Sequence, residues 1–478
     1  MTLDADACYR ALETHDTRFD GRFFVGVRST RIYCRPVCTV RLPRRENCRF
    51  YRSASAAERE GYRPCLRCRP ELAPGFAAVD ASARLAKAAI GFIDDGFLET
   101  RSLEALAARL GVTSRHLRRV FEAELGVTPV EYAQTQRLLL AKRLLTDTAL
   151  PVTEVAYASG FGSVRRLNAL FSARYRMPPG RLRQSRGVEQ RDALTFMLGY
   201  RPPYAWDAML AFLDTRAIAG VERRSGRRFV RALSIAHRGD RCTGWIEIAH
   251  AAHRSSLQVR VAPSLSHVVP QVLARIRHVF DVGCDPAAVA TALTSMALAC
   301  PGLRVPGAFD GFEIGVRAVV GQQISVAAMT TLLGRIAARF GAPLPDVPAG
   351  LSRTFPDATR FADVSIDELG VIGLTRAKAR TILALARAVN EGLDLSPQAN
   401  VEETLGRLRA IPGIGPWTAQ YIAMRALGWP DAFPSTDLGV MRALREESEK
   451  RVLAIAERWR PWRAYSVIYL WSGYREKT

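Results

Sequence analysis

Apolar positions recur with different periods along the chain, and the changes of period mark its parts. From about residue 81 to 183 the period is helical. Leu103, Leu106, Ala107 and Leu110 fall on one helix face, Gly111, Val112 and Thr113 make a tight turn, and Ser114 opens a second helix. That second helix carries Arg115, Arg118 and Arg119 near its start, a helix-turn-helix layout. The pattern returns at residues 152–171, with Gly160 and Gly162 in the turn and Arg165, Arg166 and Asn168 on the following helix. A helix over residues 132–145 separates the two copies.

After a polar linker at residues 184–191, the period shortens to two. Leu194, Thr195 and Phe196, then residues 244–249 and 256–261, alternate as half-buried strands do, predicting a small α+β unit over residues 192–300. Past Pro301 helical spacing resumes. There Pro412, Gly413, Ile414 and Gly415 interrupt two helices, at residues 405–411 and 416–422. Glycines two apart let backbone amides at a helix N-terminus approach a phosphate closely, so this helix-hairpin-helix should grip DNA through Gly413 and Gly415.

The first 76 residues are better described by their cysteines. Cys34, Cys38, Cys65 and Cys68 form Cys-x3-Cys and Cys-x2-Cys pairs, the spacing of a tetrahedral zinc site. Arg31, Arg35, Arg41, Arg44, Arg45, Arg49, Arg52, Arg63, Arg67 and Arg69 crowd the same stretch. The other cysteines, Cys8, Cys48, Cys242, Cys284 and Cys300, show no pairing pattern and read as buried thiols in a reducing compartment. With 68 Lys plus Arg against 46 Asp plus Glu, the formal charge is +22, an electrostatic footprint for polyanions such as double-stranded DNA. The absence of any run of eighteen apolar residues, and of a basic and hydrophobic leader, predicts a soluble, cytoplasmic protein at the nucleoid, with no membrane partner.

Three groups of motifs resemble known families. Residues 24–30, Cys34-Arg35-Pro36-Val37-Cys38, Arg45-Glu46-Asn47 and residues 61–68 resemble the zinc domain of Ada-type DNA repair proteins. That likeness implies that Cys34 accepts a methyl group irreversibly from a DNA phosphotriester, with Cys38, Cys65 and Cys68 as the remaining zinc ligands. The paired helix-turn-helix units resemble the AraC-type DNA-binding domain, with Arg176 standing where many members have glycine. Residues 201–206, 319–325, 412–422, 431–439 and 460–465 resemble AlkA-type 3-methyladenine DNA glycosylases. This resemblance implies that Asp437 is the catalytic carboxylate and that Trp417, Tyr421 and Trp471 line the pocket for the flipped base. Lyase-active relatives have a lysine where Trp417 stands, which implies a monofunctional enzyme that leaves an abasic site.

The expected fold is multidomain α+β. Residues 1–76 form a small zinc domain, 80–185 an AraC-type tandem helix-turn-helix domain, 192–300 an AlkA-like α+β subdomain, and 301–478 the helical helix-hairpin-helix glycosylase domain. The expected cofactor is one Zn2+, structural and thiolate-activating, with a monovalent cation at the helix-hairpin-helix as an addition. Expected partners are alkylated DNA, promoter sites and RNA polymerase. No Pro-Cys-His-Arg acceptor motif of a guanine methyltransferase occurs. The competing reading is a transcriptional regulator with an inactive glycosylase domain.

Overall fold

The structure is a computed structural model that describes residues 4–73, 84–148, 150–183, 193–237, 239–345 and 347–473. The linker expected at residues 184–191 lies outside them. The chain divides into two compact units. The first comprises Met1–Pro202, Ala236–Cys242 and Ala251–Ala274, the second Pro203–Ile235, Thr243–His250 and Arg275–Thr478. Among the described residues no helix is long and apolar enough to cross a membrane.

The first unit begins with helix α1 (Ala5–Glu13) and a four-stranded sheet of β1 (Phe24–Val27), β2 (Ile32–Cys34), β3 (Cys48–Tyr51) and β4 (Arg63–Pro64), in the order β3-β1-β2-β4. Strand β1 runs antiparallel to β2 and β3, whereas β2 and β4 are parallel. That parallel pair brings the cysteines together: Tyr33 lies beside Pro64, and Cys65 N–H donates to Tyr33 O at 3.0 Å. Both cysteine pairs therefore meet at the C-terminal end of these two strands. Gly26 in β1 is required by packing, because a Cβ there would come within 2.7 Å of the Tyr51 ring and 2.9 Å of the Tyr62 ring.

Helix α2 (Ala54–Arg59) leads to the helical part. It comprises α3 (Arg84–Asp94), α4 (Phe97–Thr100), α5 (Leu103–Arg109), α6 (Ser114–Leu125), α7 (Pro129–Asp147), α8 (Val152–Ala158), α9 (Val164–Tyr175) and α10 (Pro179–Arg183). Thr113 caps α6 and Ser163 caps α9, each through its hydroxyl, and Thr128 with Glu131 forms a capping box on α7. Leu106, Ala107, Leu117, Phe121, Leu125 and Tyr132 share one buried cluster, so the helical spacing noted above is core spacing. Helices α6 and α7 also pack against the zinc domain. Ser53 Oγ donates to Leu125 O, Lys142 pairs with Glu71, and Arg69 pairs with Asp147. In the same unit β5 (Leu194–Gly199) pairs antiparallel with β9 (Ser256–Val261), as the alternation predicts.

In the second unit, helix α11 (Trp206–Asp214) precedes a hairpin of β6 (Glu222–Ser225) and β7 (Arg228–His237), and β8 (Asp240–Ala251) contributes residues 243–250. Helices dominate from Pro286 onward. A closed ring of buried charge braces this unit: Arg231 contacts Glu222 and Glu313, and Arg317 contacts the same two carboxylates. All four residues are under 9% exposed, and each charge has two opposite neighbours, which is what makes their burial tolerable.

Candidate functional sites

The four cysteines of the N-terminal pairs converge, with their Sγ atoms all within 4.8 Å of one another. Four thiolates at about 2.3 Å from one zinc ion lie about 3.8 Å apart, so this donor set fits zinc with a small inward closure. Cys34, Cys38 and Cys65 are buried, and Cys68 is partly exposed. Arg35 is tied to the cluster: its backbone N–H donates to Cys68 Sγ at 3.3 Å, its Nη1 donates to Cys68 O at 3.1 Å, and its guanidinium pairs with Asp20.

The arginines around the cluster separate into two groups. Arg35 and Arg69 are committed to carboxylates, the former to Asp20 and the latter to Glu71 and Asp147, and these contacts build the fold. Arg41, Arg44 and Arg67 are exposed. Sequence crowding alone could not distinguish them, because partners such as Asp147 are remote in the chain.

On the helix-turn-helix units, Arg115, Arg118 and Arg119 project from α6 and Arg165 and Arg166 from α9, all five exposed. Thr113, Arg115, His116, Arg118, Arg119 and Glu122 line one open groove. Helix α9 ends at Arg176 in the left-handed conformation, φ 55°, where α6 ends at Gly126, φ 73°. The turn is kept, with a side chain in a conformation that suits glycine.

In the second unit, helix Val401–Arg409 and helix Pro416–Arg425 flank the hairpin. Gly413 has φ 91°, and a Cβ there would come within 2.0 Å of Thr381 Oγ1. At Gly415, which precedes the second helix without a side-chain cap, a Cβ would meet open space. Thus Gly413 is required by the turn, whereas Gly415 leaves the helix N-terminus uncovered. Gln322 Nε2 donates to Gly413 O at 3.0 Å, and Lys378 Nζ donates to Val320 O and Gln322 O, both at 2.8 Å.

Asp437 caps helix Leu438–Leu444, and its Oδ1 accepts from Val440 N–H at 3.0 Å. Two indoles complete its shell: Trp471 Nε1 donates to Oδ1 and Trp417 Nε1 to Oδ2, each at 2.9 Å. Three N–H donors therefore point at one carboxylate and fix its plane. Trp417 stacks on Tyr421 with centroids 5.4 Å apart, and Tyr421 lies 6.2 Å from Trp471.

Three side chains of this site escaped the sequence reading. Phe212 on α11 stacks on Trp471 at 6.4 Å, and the Arg216 guanidinium lies 3.9 Å from the Phe212 ring centre. The buried Arg425 donates to Tyr421 Oη at 2.9 Å from beneath these rings.

The arrangement of a thiolate cluster, paired helix-turn-helix units and a carboxylate behind a helical hairpin agrees with four family matches. Residues 7–71 match the metal binding domain of Ada, 106–185 a helix-turn-helix domain, 195–310 the AlkA N-terminal domain, and 316–449 the HhH-GPD superfamily of base excision DNA repair proteins. The probable bifunctional transcriptional activator/DNA repair enzyme AlkA of Mycobacterium tuberculosis is 34% identical, over 99% of this chain and 97% of its own. The chain belongs to that bifunctional AlkA family. DNA-3-methyladenine glycosylase 2 of Escherichia coli is 34% identical over 58% of this chain and 96% of its own length. The 3-methyladenine DNA-glycosylase of Archaeoglobus fulgidus, 22% identical, shares the fold over 58% of this chain and 97% of its own, with a TM-score of 0.50.

Like the family, this chain joins an Ada-type zinc centre for one Zn2+ to AraC-type helices and a helix-hairpin-helix glycosylase domain.

Proposed function

We propose that this bifunctional AlkA-family protein releases alkylated purines of the 3-methyladenine type, and that Asp437 is the carboxylate that makes release possible. The single observation that carries the reading is the clamp of Trp417 and Trp471 on that carboxylate. Breaking an N-glycosidic bond builds positive charge on the sugar, and a pre-oriented anion stabilises that state without reorganising. The base must first be flipped out of the duplex. The rings of Trp417, Tyr421 and Trp471, joined by Phe212, offer it electron-rich faces that suit a cationic alkylpurine. Gly413 and Gly415 hold the backbone beside them. With Trp417 at the position of the lyase lysine, water is the acceptor, and the enzyme is monofunctional.

At the other end of the chain Cys34 takes a methyl group from a DNA phosphotriester, once per molecule. Zinc bound by Cys34, Cys38, Cys65 and Cys68 keeps the sulfurs as thiolates at neutral pH. Conversion of one thiolate to a thioether removes a negative charge from a DNA-facing surface, which tightens DNA binding. The helices α6 and α9, through Arg115, Arg118, Arg119, Arg165 and Arg166, then hold a promoter for RNA polymerase in the cytoplasm.

Asp437→Asn keeps the cap and removes the charge. Release of 3-methyladenine from alkylated DNA should fall by about 10²- to 10³-fold, and wild-type activity in the variant would defeat the assignment. For the sensor, mass spectrometry after exposure to methylphosphotriester DNA should place the methyl on Cys34. An unchanged operator affinity after that modification would defeat the switch.

A further inference from the structure

Lys142 and Arg143 are neighbours on α7, each 2% exposed, and they hold two different parts of the chain. Lys142 Nζ donates to the Glu71 carboxylate at 2.8 and 3.0 Å and to Cys65 O at 3.5 Å. It thus ties α7 to a zinc ligand and to the turn that follows the ligands. The Arg143 guanidinium donates to Met197 O and lies 4.8 Å from the Phe196 ring centre, and both of those residues belong to β5. The 3-10 turn Pro70–Leu72 begins two residues after Cys68 and lies against α7 and β5 alike. Arg69, between ligand and turn, has φ 54°, a left-handed conformation that costs an L residue about 1 kcal/mol or more. Its ion pairs with Glu71 and Asp147 hold it there. Strand β5 has one strand neighbour, β9, and such an edge strand needs covering elements.

We propose that the zinc loop, residues 65–72, and α7 together form the docking surface for β5, where the glycosylase region begins, and that zinc occupancy holds this surface in place. The proposal rests on zinc binding by the four cysteines and not on methyl transfer to Cys34. Metal binding to a site absent from the unfolded chain is folding free energy for the segment its ligands join. Elements that pack on the folded segment share that free energy by linkage. Without the metal, Cys65 and Cys68 lose their common anchor, and Arg69 relaxes from its left-handed conformation. Glu71 then leaves Lys142, a buried ammonium deprived of its carboxylate, which loosens α7 where Arg143 grips β5. The ordered and released forms of residues 65–72 are the two states that both ends bias. Reciprocity follows: whatever holds β5 on this surface also tightens zinc binding.

The test is hydrogen–deuterium exchange on the full chain, zinc-loaded and after chelation, followed by mass spectrometry of its peptides. Amides of β5 should exchange at least about tenfold faster without zinc, while those of the β6–β7 hairpin keep their rates. Arg143→Met keeps an apolar stem and deletes the guanidinium. With zinc bound it should already show fast exchange in β5, and its zinc affinity, titrated against a competing chelator, should fall by about 3- to 10-fold. Protection of β5 that survives zinc removal overturns the proposal. Equal acceleration in the β6–β7 hairpin overturns it too, because the response would then be general unfolding. Unchanged zinc affinity in a folded Arg143→Met does the same. The wild-type comparison needs no variant and decides the matter if Arg143→Met does not fold. Neither readout involves methyl transfer or base release, so this link and the chemistry proposed above stand or fall separately.

Discussion

Asp437 does two jobs with one side chain: its Oδ1 caps a helix, while both oxygens accept from indoles. A cap alone needs one acceptor, so the two indole donors are surplus to helix formation and act on the carboxylate. Trp417→Phe and Trp471→Phe keep a ring and delete one donor each. Each should lower the rate of base release by about 10- to 100-fold, the worth of one hydrogen bond to a charged group, with a smaller effect on KM. Single-turnover kinetics checks this. A change confined to KM would mean that the indoles only bind the base. The sequence made Asp437, Trp417 and Trp471 candidates by resemblance, but Phe212 and Arg216 were not legible, because they lie some two hundred residues before Trp417 and meet the site through packing.

At the scale of elements, the two helix-turn-helix copies end their reading helices alike, in left-handed caps at Gly126 and Arg176. An L side chain in that conformation costs about 1 kcal/mol. Arg176→Gly should therefore stabilise the helical part by about that much, read as a higher urea midpoint with unchanged slope. Helix and turn positions in this part followed from apolar spacing because each helix buries a single face. The cysteine pairs were equally legible in spacing. What brings them to one end of the sheet, the parallel pairing of β2 with β4, was not, since residues 35–62 intervene and no local pattern specifies a parallel partner.

At the scale of the whole molecule, the first unit has a buried carboxyl where α2 packs against α7 and α9. Glu58 is 1% exposed; Tyr33 Oη and Thr135 Oγ1 donate to its carboxylate, and Arg174 donates to its backbone oxygen. Burial pushes its pKa up to about 7, the two hydroxyl hydrogen bonds opposing the rise only in part. A carboxyl raised in the folded state favours folding when protonated. Its contribution is full below the unfolded value of 4.5 and is lost as pH rises through about 7. Glu58→Gln should flatten that dependence and raise stability above pH 7, by on the order of 2–3 kcal/mol, measured by urea unfolding from pH 5 to 8.

The sequence by itself determined the kinds of part and their order: a thiolate pair of pairs, two helical reading heads, and a hairpin followed by an aspartate. Spacing, charge and periodicity are local quantities, and each of these parts is built on local geometry. Only the tertiary structure decided which arginines are spent on carboxylates, which rings surround Asp437, and which strands bring the two cysteine pairs together. Those outcomes depend on groups far apart in the chain meeting at van der Waals distance, and that information exists only once the chain is packed.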